Sequence, residues 1–215
     1  GGGESTRLNT PLPVAGLGIR EFSISPDSSR VVYSTEVAPF SPTELFSVPI
    51  GGGSVIKLNH PLAPNSGVYN AMISSDSARV VYQSYEPTPG LFGVAIDGGS
   101  VVQLNAPLAS DEALHTVELS HDGSFVLYTT AMTFPFVRPK THAGSSPKGY
   151  IGLPRALFRV PIAGGPASAL LTGSTEDSYV NQFGISPDDV LVFYSGNLGA
   201  GDGAGLYAIP SYGGA

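Results

Sequence analysis

The chain has no cysteine and little charge, and both shortages narrow what it can be. Without cysteine it forms no disulfide, no thiolate metal site and no cysteine nucleophile. Charged residues make up 13% of its 215 residues and the net charge is −7, so a nucleic-acid partner is disfavoured. No apolar run approaches the about 18 residues of a membrane-spanning helix. At 215 residues the chain is long enough for one domain with a substantial core or for two very small domains, and its hydrophobic share of 41% is ordinary for a folded protein.

The motifs of common enzyme classes are also missing. There is no Gly-x-Ser-x-Gly nucleophile elbow and no phosphate-binding loop ending in Gly-Lys-Ser/Thr. The spacing of a His-Glu-x-x-His zinc site is not found at any of the histidines, His60, His115, His121 and His142. The sequence therefore predicts no catalytic residue, no metal site and no cofactor.

What the chain does contain is a repeat. Segments related to Ile-Ser-Pro-Asp-Ser-Ser-Arg-Val-Val-Tyr occur four times, with the aspartate at Asp27, Asp76, Asp122 and Asp188. A leucine-aromatic segment follows each, beginning at Leu45, Leu91, Leu157 and Leu206. Each of these runs into a glycine pair, at Gly51-Gly52, Gly98-Gly99, Gly164-Gly165 and Gly213-Gly214. Val-Ile-Lys-Leu-Asn and related segments follow the first three pairs, and Arg7-Leu8-Asn9 is a further copy.

These short segments predict β-strands, because they are rich in Val, Ile, Phe and Tyr and are separated by turn-forming residues. We name the strands of one repeat A (ending in Ile-Ser), B (Arg-Val-Val-Tyr), C (Leu-Phe-x-Val) and D (Val-Ile-Lys-Leu-Asn). Ser-Pro-Asp-Ser is predicted to form the A–B turn, and the glycine pair the C–D hairpin turn. A ring of carboxylates for cations is an alternative role for the four aspartates, but a turn in each repeat explains their period without a ligand.

The succession of strand, Ser-Pro-Asp, strand, Leu-Phe/Tyr-x-Val and glycine pair resembles the TolB-like propeller repeat, also called the WD40-like repeat, over essentially the whole chain. The resemblance implies an all-β fold, a β-propeller of four blades built from four-stranded antiparallel sheets. We expect a single domain over residues 1–215, with repeats at about 1–50, 51–97, 98–163 and 164–215. The third repeat departs from the pattern at His121, where proline is usual, and the fourth at Asp189, where serine or glycine is usual.

The two ends of the chain carry unmatched strands. The N-terminal copy, Arg7-Leu8-Asn9, is a D strand without A, B and C strands before it, and the last repeat has no D strand after it. Open strand edges promote aggregation. We therefore expect the N-terminal strand to complete the last blade, either in its own chain or in a neighbouring molecule.

The same resemblance implies a function without catalysis. Such repeats occur in periplasmic envelope proteins, in substrate-gating propellers of serine peptidases and in large secreted proteins, where they act as platforms. We expect a non-enzymatic binding or scaffold module of a secreted or cell-envelope protein, extracellular or periplasmic, whose partner is a protein or a second copy. Two alternatives stay open: a self-assembling structural subunit of an extracellular polymer or filament, and the accessory propeller of a larger enzyme such as a serine peptidase.

Two sets of residues are candidates for binding. Strand A lines the channel of such propellers, so the equivalent residues Arg20, Tyr69, His115 and Asn181, or else their neighbours Glu21, Asn70, Thr116 and Gln182, are predicted to line it. The second set lies in an insertion at 131–155, between strands B and C of the third repeat, which holds four of the ten basic residues and no acidic one. There we expect partner contacts from Phe134, Phe136, Arg138, Lys140 and Tyr150.

Overall fold

A computed structural model of the chain describes residues 4–12, 18–64, 66–85, 89–134, 149–150, 154–173, 178–198 and 203–213. The only regular elements within these ranges are β-strands, so the predicted all-β class is confirmed. No helix of the described residues is long and apolar enough to cross a membrane. The chain divides into two compact units, one of residues 1–105, 122–124 and 161–165, the other of 106–121, 125–160 and 166–215.

The first unit contains the strands of repeats 1 and 2. Strands A to D of repeat 1 are β1 (Ile19–Ile24), β2 (Arg30–Glu36), β3 (Thr43–Pro49) and β4 (Ile56–Lys57). Those of repeat 2 are β5 (Gly67–Ile73), β6 (Arg79–Tyr85), β7 (Gly90–Ala95) and β8 (Val102–Gln103). Consecutive strands of each repeat pair antiparallel. One parallel pair, Thr43 with Gly67, joins the two sheets.

The second unit holds the strands of repeats 3 and 4. Repeat 3 forms β9 (Glu112–Leu119), β10 (Phe125–Phe134), β11 (Gly149–Tyr150), β12 (Ala156–Pro161) and β13 (Ser168–Thr172), in the sheet order β9-β10-β12-β13 with β11 on the far end of β10. Repeat 4 forms β14 (Tyr179–Ile185), β15 (Leu191–Asn197) and β16 (Gly205–Pro210), paired antiparallel. The strand β10 thus continues into the predicted insertion, and β16 has no D strand beside it in the described part of repeat 4.

The A–B turns share one pattern of hydrogen bonds. In repeat 1 the hydroxyl of Ser25 donates to Asp27 (2.6 Å), and Asp27 also accepts the backbone N–H of Ser29 (3.0 Å). The matching serine-to-aspartate distances are 2.5 Å in repeat 2 and 2.6 Å in repeat 4. The residue after the aspartate is left-handed, with φ of 58° at Ser28 and 71° at Gly123. The aspartates therefore act as acceptors within their own turns.

The aspartates of these turns make the stability of the fold depend on pH in the acidic range. The hydrogen bonds from the Ser25 hydroxyl and the Ser29 N–H lower the pKa of Asp27 from 3.8 to about 2, and the Ser74 hydroxyl likewise lowers the pKa of Asp76. Because the folded-state pKa is the lower one, this stabilisation is complete above about pH 4 and is lost as the pH falls through the folded value. We expect the melting temperature to fall between about pH 4 and pH 2, and Asp27→Asn to remove part of that fall. Circular dichroism melts of the two chains test this, and an unchanged acid dependence in Asp27→Asn would contradict it.

The C–D turns use positive φ angles that favour glycine. The φ angles are 86° at Gly52 and 134° at Gly53, so the left-handed pair in repeat 1 lies one residue later than the predicted pair. The shift follows from the turn itself, in which the N–H of Gly52 donates to the carbonyl of Pro49 (2.9 Å) and places Ile50 and Gly51 at its centre. Matching turns occur in repeats 2 and 3, with φ of 95° at Gly98 and 96° at Gly164.

Each unit has a core formed between two sheets. In the first unit Val32 and Leu45 of repeat 1 pack with Val80 and Tyr82 of repeat 2. In the second unit a corresponding cluster joins repeats 3 and 4, from Phe125, Leu127, Leu157, Val180, Phe183, Ile185, Val192 and Tyr194. Strand-B residues and the strand-C leucines of repeats 1 to 3 are the common part of these cores, to which strand A adds Val68 in the first unit and Val180, Phe183 and Ile185 in the second.

The short D strands are held by an asparagine at their end. The side-chain oxygen of Asn59 accepts the backbone N–H of Leu45 (2.8 Å), as that of Asn105 accepts the N–H of Leu91 (2.7 Å). The next residue, His60, donates its backbone N–H to the hydroxyl of Tyr82 in the following repeat (3.2 Å). A D strand is thereby fixed both to its own C strand and to the B strand of the next repeat.

Candidate functional site

Strand A carries a β-bulge at the predicted channel position in repeats 1, 3 and 4 and directly after it in repeat 2. The pairing register shifts between Ile19 and Glu21 in repeat 1, and at or next to the corresponding place in the other three repeats. Arg20 and Asn181 are the extra residues in repeats 1 and 4. A bulge re-aims the side chain it carries. Strict alternation therefore does not decide which of the two predicted sets faces the channel, and the channel assignment stays a prediction.

Two of the predicted residues, Arg20 and Tyr69, line one cleft in the first unit. Its volume is about 440 Å³, enough for a few side chains of a ligand. The wall from repeat 1 comes from β1, β2, the B–C connection and the first residue of β3, and the wall from repeat 2 from the start of β5 and the end of β6. We call this the Arg20–Tyr69 cleft and use for it the six lining residues Arg20, Glu36, Phe40, Ser66, Tyr69 and Tyr85.

The charged end of the cleft is an ion pair. The guanidinium of Arg20 donates to the carboxylate of Glu36, and the exposed side-chain fractions are 58% and 21%. The neighbouring carboxylate of Glu21 also lines the cleft, so negative charge exceeds positive charge there. Because the pair is exposed on the Arg20 side, it contributes little to stability but offers both a donor and an acceptor to a ligand.

The other end of the cleft is aromatic. The rings of Tyr69 and Tyr85 lie 5.5 Å apart at an angle of 43°, and Tyr85 is 46% exposed. The ring of Tyr85 lies against Gly67, and a Cβ atom added at Gly67 would be 2.9 Å from the Tyr85 hydroxyl oxygen. Phe40 stands on the B–C connection, 93% exposed and with φ of 62°. A non-glycine residue in that conformation with an exposed ring is a site where backbone strain points to function.

The other two predicted channel residues lie in the second unit. His115 and Asn181 are both exposed at their bulges, and the Nδ1 atom of His115 is 2.9 Å from the hydroxyl of Thr116. Of the alternative set, Glu21 lines the Arg20–Tyr69 cleft, and Asn70 is exposed with φ of 50°.

The predicted partner residues of the insertion fall largely outside the described residues. Phe136, Arg138 and Lys140 lie outside them. Phe134 and Tyr150 end the described strands β10 and β11, whose pairing joins Phe134 to Gly149 and Thr133 to Tyr150. Their role in partner binding stays a prediction.

The described histidines have local partners. His60 packs on Phe92 (4.3 Å between ring centroids), and burial followed by the charge of Lys57 lowers its pKa. His121 meets Asp189, with its Nδ1 atom 3.0 Å from a carboxylate oxygen. Within the described ranges, no group of three or more His, Cys, Asp or Glu residues is arranged to hold a metal ion.

The sequence did not indicate four of these six residues. Glu36, Phe40 and Tyr85 lie at or just beyond the ends of B strands and Ser66 lies just before β5, outside the strand-A positions predicted to line the channel. The signal that was available is the sequence after each strand-B tyrosine, which differs between repeats. Residues on variable connections over a constant scaffold are where binding sites usually form.

Comparison with known proteins agrees with this architecture. No family model matches the sequence, and no curated protein is significantly similar to it. Solved structures do match, among them dipeptidyl peptidase 4 of Porphyromonas gingivalis, with a TM-score of 0.65 and 12% identity over 90% of this chain and 31% of that one. A prolyl endopeptidase matches with a TM-score of 0.58 and 13% identity over 90% of this chain and 28% of that one.

A structure described as TolB from Agrobacterium tumefaciens matches with a TM-score of 0.52 and 16% identity over 93% of this chain. The match covers 63% of that TolB chain, so this sequence spans less than two thirds of each of the three matched proteins. At these identities the likeness shows the fold alone. Together with the repeated antiparallel sheets and their shared turns, it shows that the chain has an all-β, TolB-like propeller fold.

Proposed function

We propose that the chain is a non-enzymatic binding module of a secreted or cell-envelope protein, and that the Arg20–Tyr69 cleft receives a segment of a protein partner. The cleft carries the proposal, because it gathers an ion pair and two tyrosines around Arg20 and Tyr69, two of the strand-A residues predicted to line the propeller channel. Tyrosine and arginine are enriched among the central residues that carry most of the binding energy at protein interfaces.

The charges of the cleft favour a basic segment. Glu21 and Glu36 outnumber Arg20 there, and the whole chain has a net charge of −7. Complementary charge speeds encounter and fixes orientation more than it adds affinity. The ring faces of Tyr69 and Tyr85 suit an apolar or cationic side chain beside the basic one. We therefore expect short peptides that combine lysine or arginine with an aliphatic or aromatic residue.

Selection from a random peptide library on the purified chain tests this function. Affinity of the selected peptides is measured by fluorescence polarisation for the parent, Tyr85→Ala and Glu36→Gln. Removing a central tyrosine from an interface costs about 2 kcal/mol, so Tyr85→Ala is expected to weaken binding roughly 30-fold. Tyr212→Ala serves as the matched control, because Tyr212 is a tyrosine that is 73% exposed in the other unit. Equal affinity in all variants would contradict the cleft as the site.

A second candidate is the accessory propeller of a larger enzyme, such as a serine peptidase. It is supported by the matches to peptidases of which this chain spans 31% and 28%. In that role the cleft would receive a substrate segment instead of a permanent partner. In both proposals the chain itself does not catalyse a reaction. The selected peptides are therefore incubated with the purified chain, and peptide cleavage that a point mutation abolishes would contradict both proposals.

A further inference from the structure

Three of the residues that line the cleft belong to one row of paired residues across four strands. Glu36, the last residue of β2, pairs with Thr43 of β3, and Thr43 pairs with Gly67 of β5 through the parallel contact that joins the two repeats. Gly67 pairs in turn with Tyr85, the last residue of β6. Residues paired directly across strands turn their side chains to the same face of a sheet. The carboxylate and the tyrosine ring therefore face one surface, although they belong to different repeats.

The ring of Tyr85 lies along this row because Gly67 has no side chain. A Cβ atom added at Gly67 would be 2.9 Å from the Tyr85 hydroxyl oxygen and 3.4 Å from the Cβ atom of Thr43. Neighbouring strands are about 4.8 Å apart, so the two ends of the row are about 14 Å from each other, the length of about four residues of extended chain. A short segment that crosses the strands thus reaches the ring of Tyr85 and the carboxylate of Glu36 together.

The same two strand positions carry the ion pair in repeat 1 and the tyrosine pair in repeat 2. Arg20 and Tyr69 are equivalent in strand A, and Glu36 and Tyr85 each follow the tyrosine of strand B by three residues. The guanidinium of Arg20 donates to Glu36, and the rings of Tyr69 and Tyr85 lie 5.5 Å apart. Repeat 2 therefore presents an aromatic surface where repeat 1 presents a carboxylate that already holds a cation.

The two members of the ion pair differ in how firmly the fold holds them. The side chain of Glu36 is 21% exposed, whereas that of Arg20 is 58% exposed and belongs to the extra residue of the bulge in β1. Exposed ion pairs are weak, so Arg20 leaves the carboxylate at little cost. Among the described residues that line the cleft, Arg20 is the only basic one, and Glu21 is a second carboxylate. An acidic partner group would be repelled by both carboxylates, and a basic one is attracted by both.

We infer that a basic side chain of the partner segment displaces Arg20 from Glu36, while an aromatic or aliphatic side chain of the same segment rests on Tyr85. The inference rests on the proposed function, because it needs a protein segment in the cleft. Arg20 is then an internal competitor that occupies Glu36 in the free chain and leaves when the partner binds. The exchange keeps the carboxylate paired in both states, so no charge in the cleft is left uncompensated.

A double-mutant cycle tests the exchange with a selected peptide that contains one lysine. Its affinity is measured by fluorescence polarisation for the parent, Arg20→Gln, Glu36→Gln and the double variant. We expect Arg20→Gln to bind about two- to five-fold more tightly than the parent, which is the range that the loss of an exposed ion pair allows. With Glu36→Gln already in place, Arg20→Gln is expected to give no such gain, because the carboxylate for which Arg20 competes is gone.

Lys57→Gln is the matched control for the change in net charge. Lys57 forms an ion pair with Glu44 in the same unit, with exposed side-chain fractions of 41% and 15%, and neither is among the described residues that line the cleft. At 0.15 M salt exposed charges more than about 8 Å apart are largely screened, so we expect this variant to bind like the parent. A peptide whose lysine is replaced by the uncharged norleucine is expected to gain nothing from Arg20→Gln.

The results separate this inference from the function on which it rests. If Tyr85→Ala binds the selected peptides as the parent does, the cleft is not the site and both proposals are wrong. If Tyr85→Ala weakens binding but Arg20→Gln binds no more tightly than Lys57→Gln, the cleft remains the site and the exchange is wrong. Selected peptides without a basic residue would overturn the exchange as well. The same holds for equal gains from Arg20→Gln with and without the Glu36 carboxylate, since the gain would then have another source.

Discussion

Replacing Leu45 by alanine is expected to lower the free energy of unfolding by about 2–5 kcal/mol. Leu45 is 1% exposed and belongs to the cluster between the sheets of repeats 1 and 2. Its backbone groups bond to Asn59 and Leu58, so the substitution removes the side chain and leaves the anchoring of β4 in place. The loss has two parts: the free energy that the removed side-chain atoms gained by leaving water, and the cost of the cavity that remains.

Leu206→Ala is the matched control, because Leu206 has the same place in strand C but is 76% exposed. Measured by urea unfolding, it is expected to change the free energy of unfolding by no more than about 0.5 kcal/mol. Equal losses in the two variants would mean that Leu206 is as buried as Leu45. They would contradict the prediction that burial of the strand-C leucine determines the loss.

Most of the fold could be predicted from the sequence repeat. The recurring Ser-Pro-Asp and glycine segments predict turns, because these residues favour the backbone geometries that turns require. The strands lie between these turns, as predicted. The strand-C leucines of repeats 1 to 3 and the valines of strand B are buried, since alternation places them on the faces where sheets meet. These features depend on local chemistry, which a single sequence contains.

The candidate site depends on properties that a repeat does not show. A β-bulge in strand A interrupts the alternation at Arg20, so the direction of that side chain is not readable from its neighbours. Tyr85 reaches Tyr69 only because Gly67 leaves room for its ring. Contacts between different repeats depend on how two sheets pack, and no pattern within one repeat determines that.

Two departures from the repeat illustrate the same limit. His121 stands where proline is usual and Asp189 where serine or glycine is usual, and each alone reads as a weakened motif. In the structure they meet, with the N–H of His121 donating to Asp189 at 2.8 Å. The turns of repeats 3 and 4 are thus joined by side chains that the other turns do not have. Their separation of 68 positions kept the pairing out of reach of the sequence alone.

Gly196→Ala is expected to destabilise the chain by about 1–3 kcal/mol, as overpacking a filled core does. Gly196 lies in β15 opposite Val180, beside the bulge in β14. A Cβ atom at this residue would be 2.2 Å from the carbonyl oxygen of Tyr179, far inside ordinary contact distance. The obstacle is backbone, so a side-chain rotation does not relieve it, and β14 has to move.

Gly184→Ala provides the control for that substitution. Gly184 is also a strand glycine of repeat 4, but an added Cβ there meets nothing within 4 Å. Because alanine restricts the unfolded chain more than glycine does, we expect this variant to be unchanged or stabilised by up to about 1 kcal/mol. Urea unfolding of both variants makes the comparison. If Gly196→Ala were as stable as Gly184→Ala, β14 would have to be free to shift at Tyr179, and the paired register of β14 and β15 would not be a fixed part of the fold.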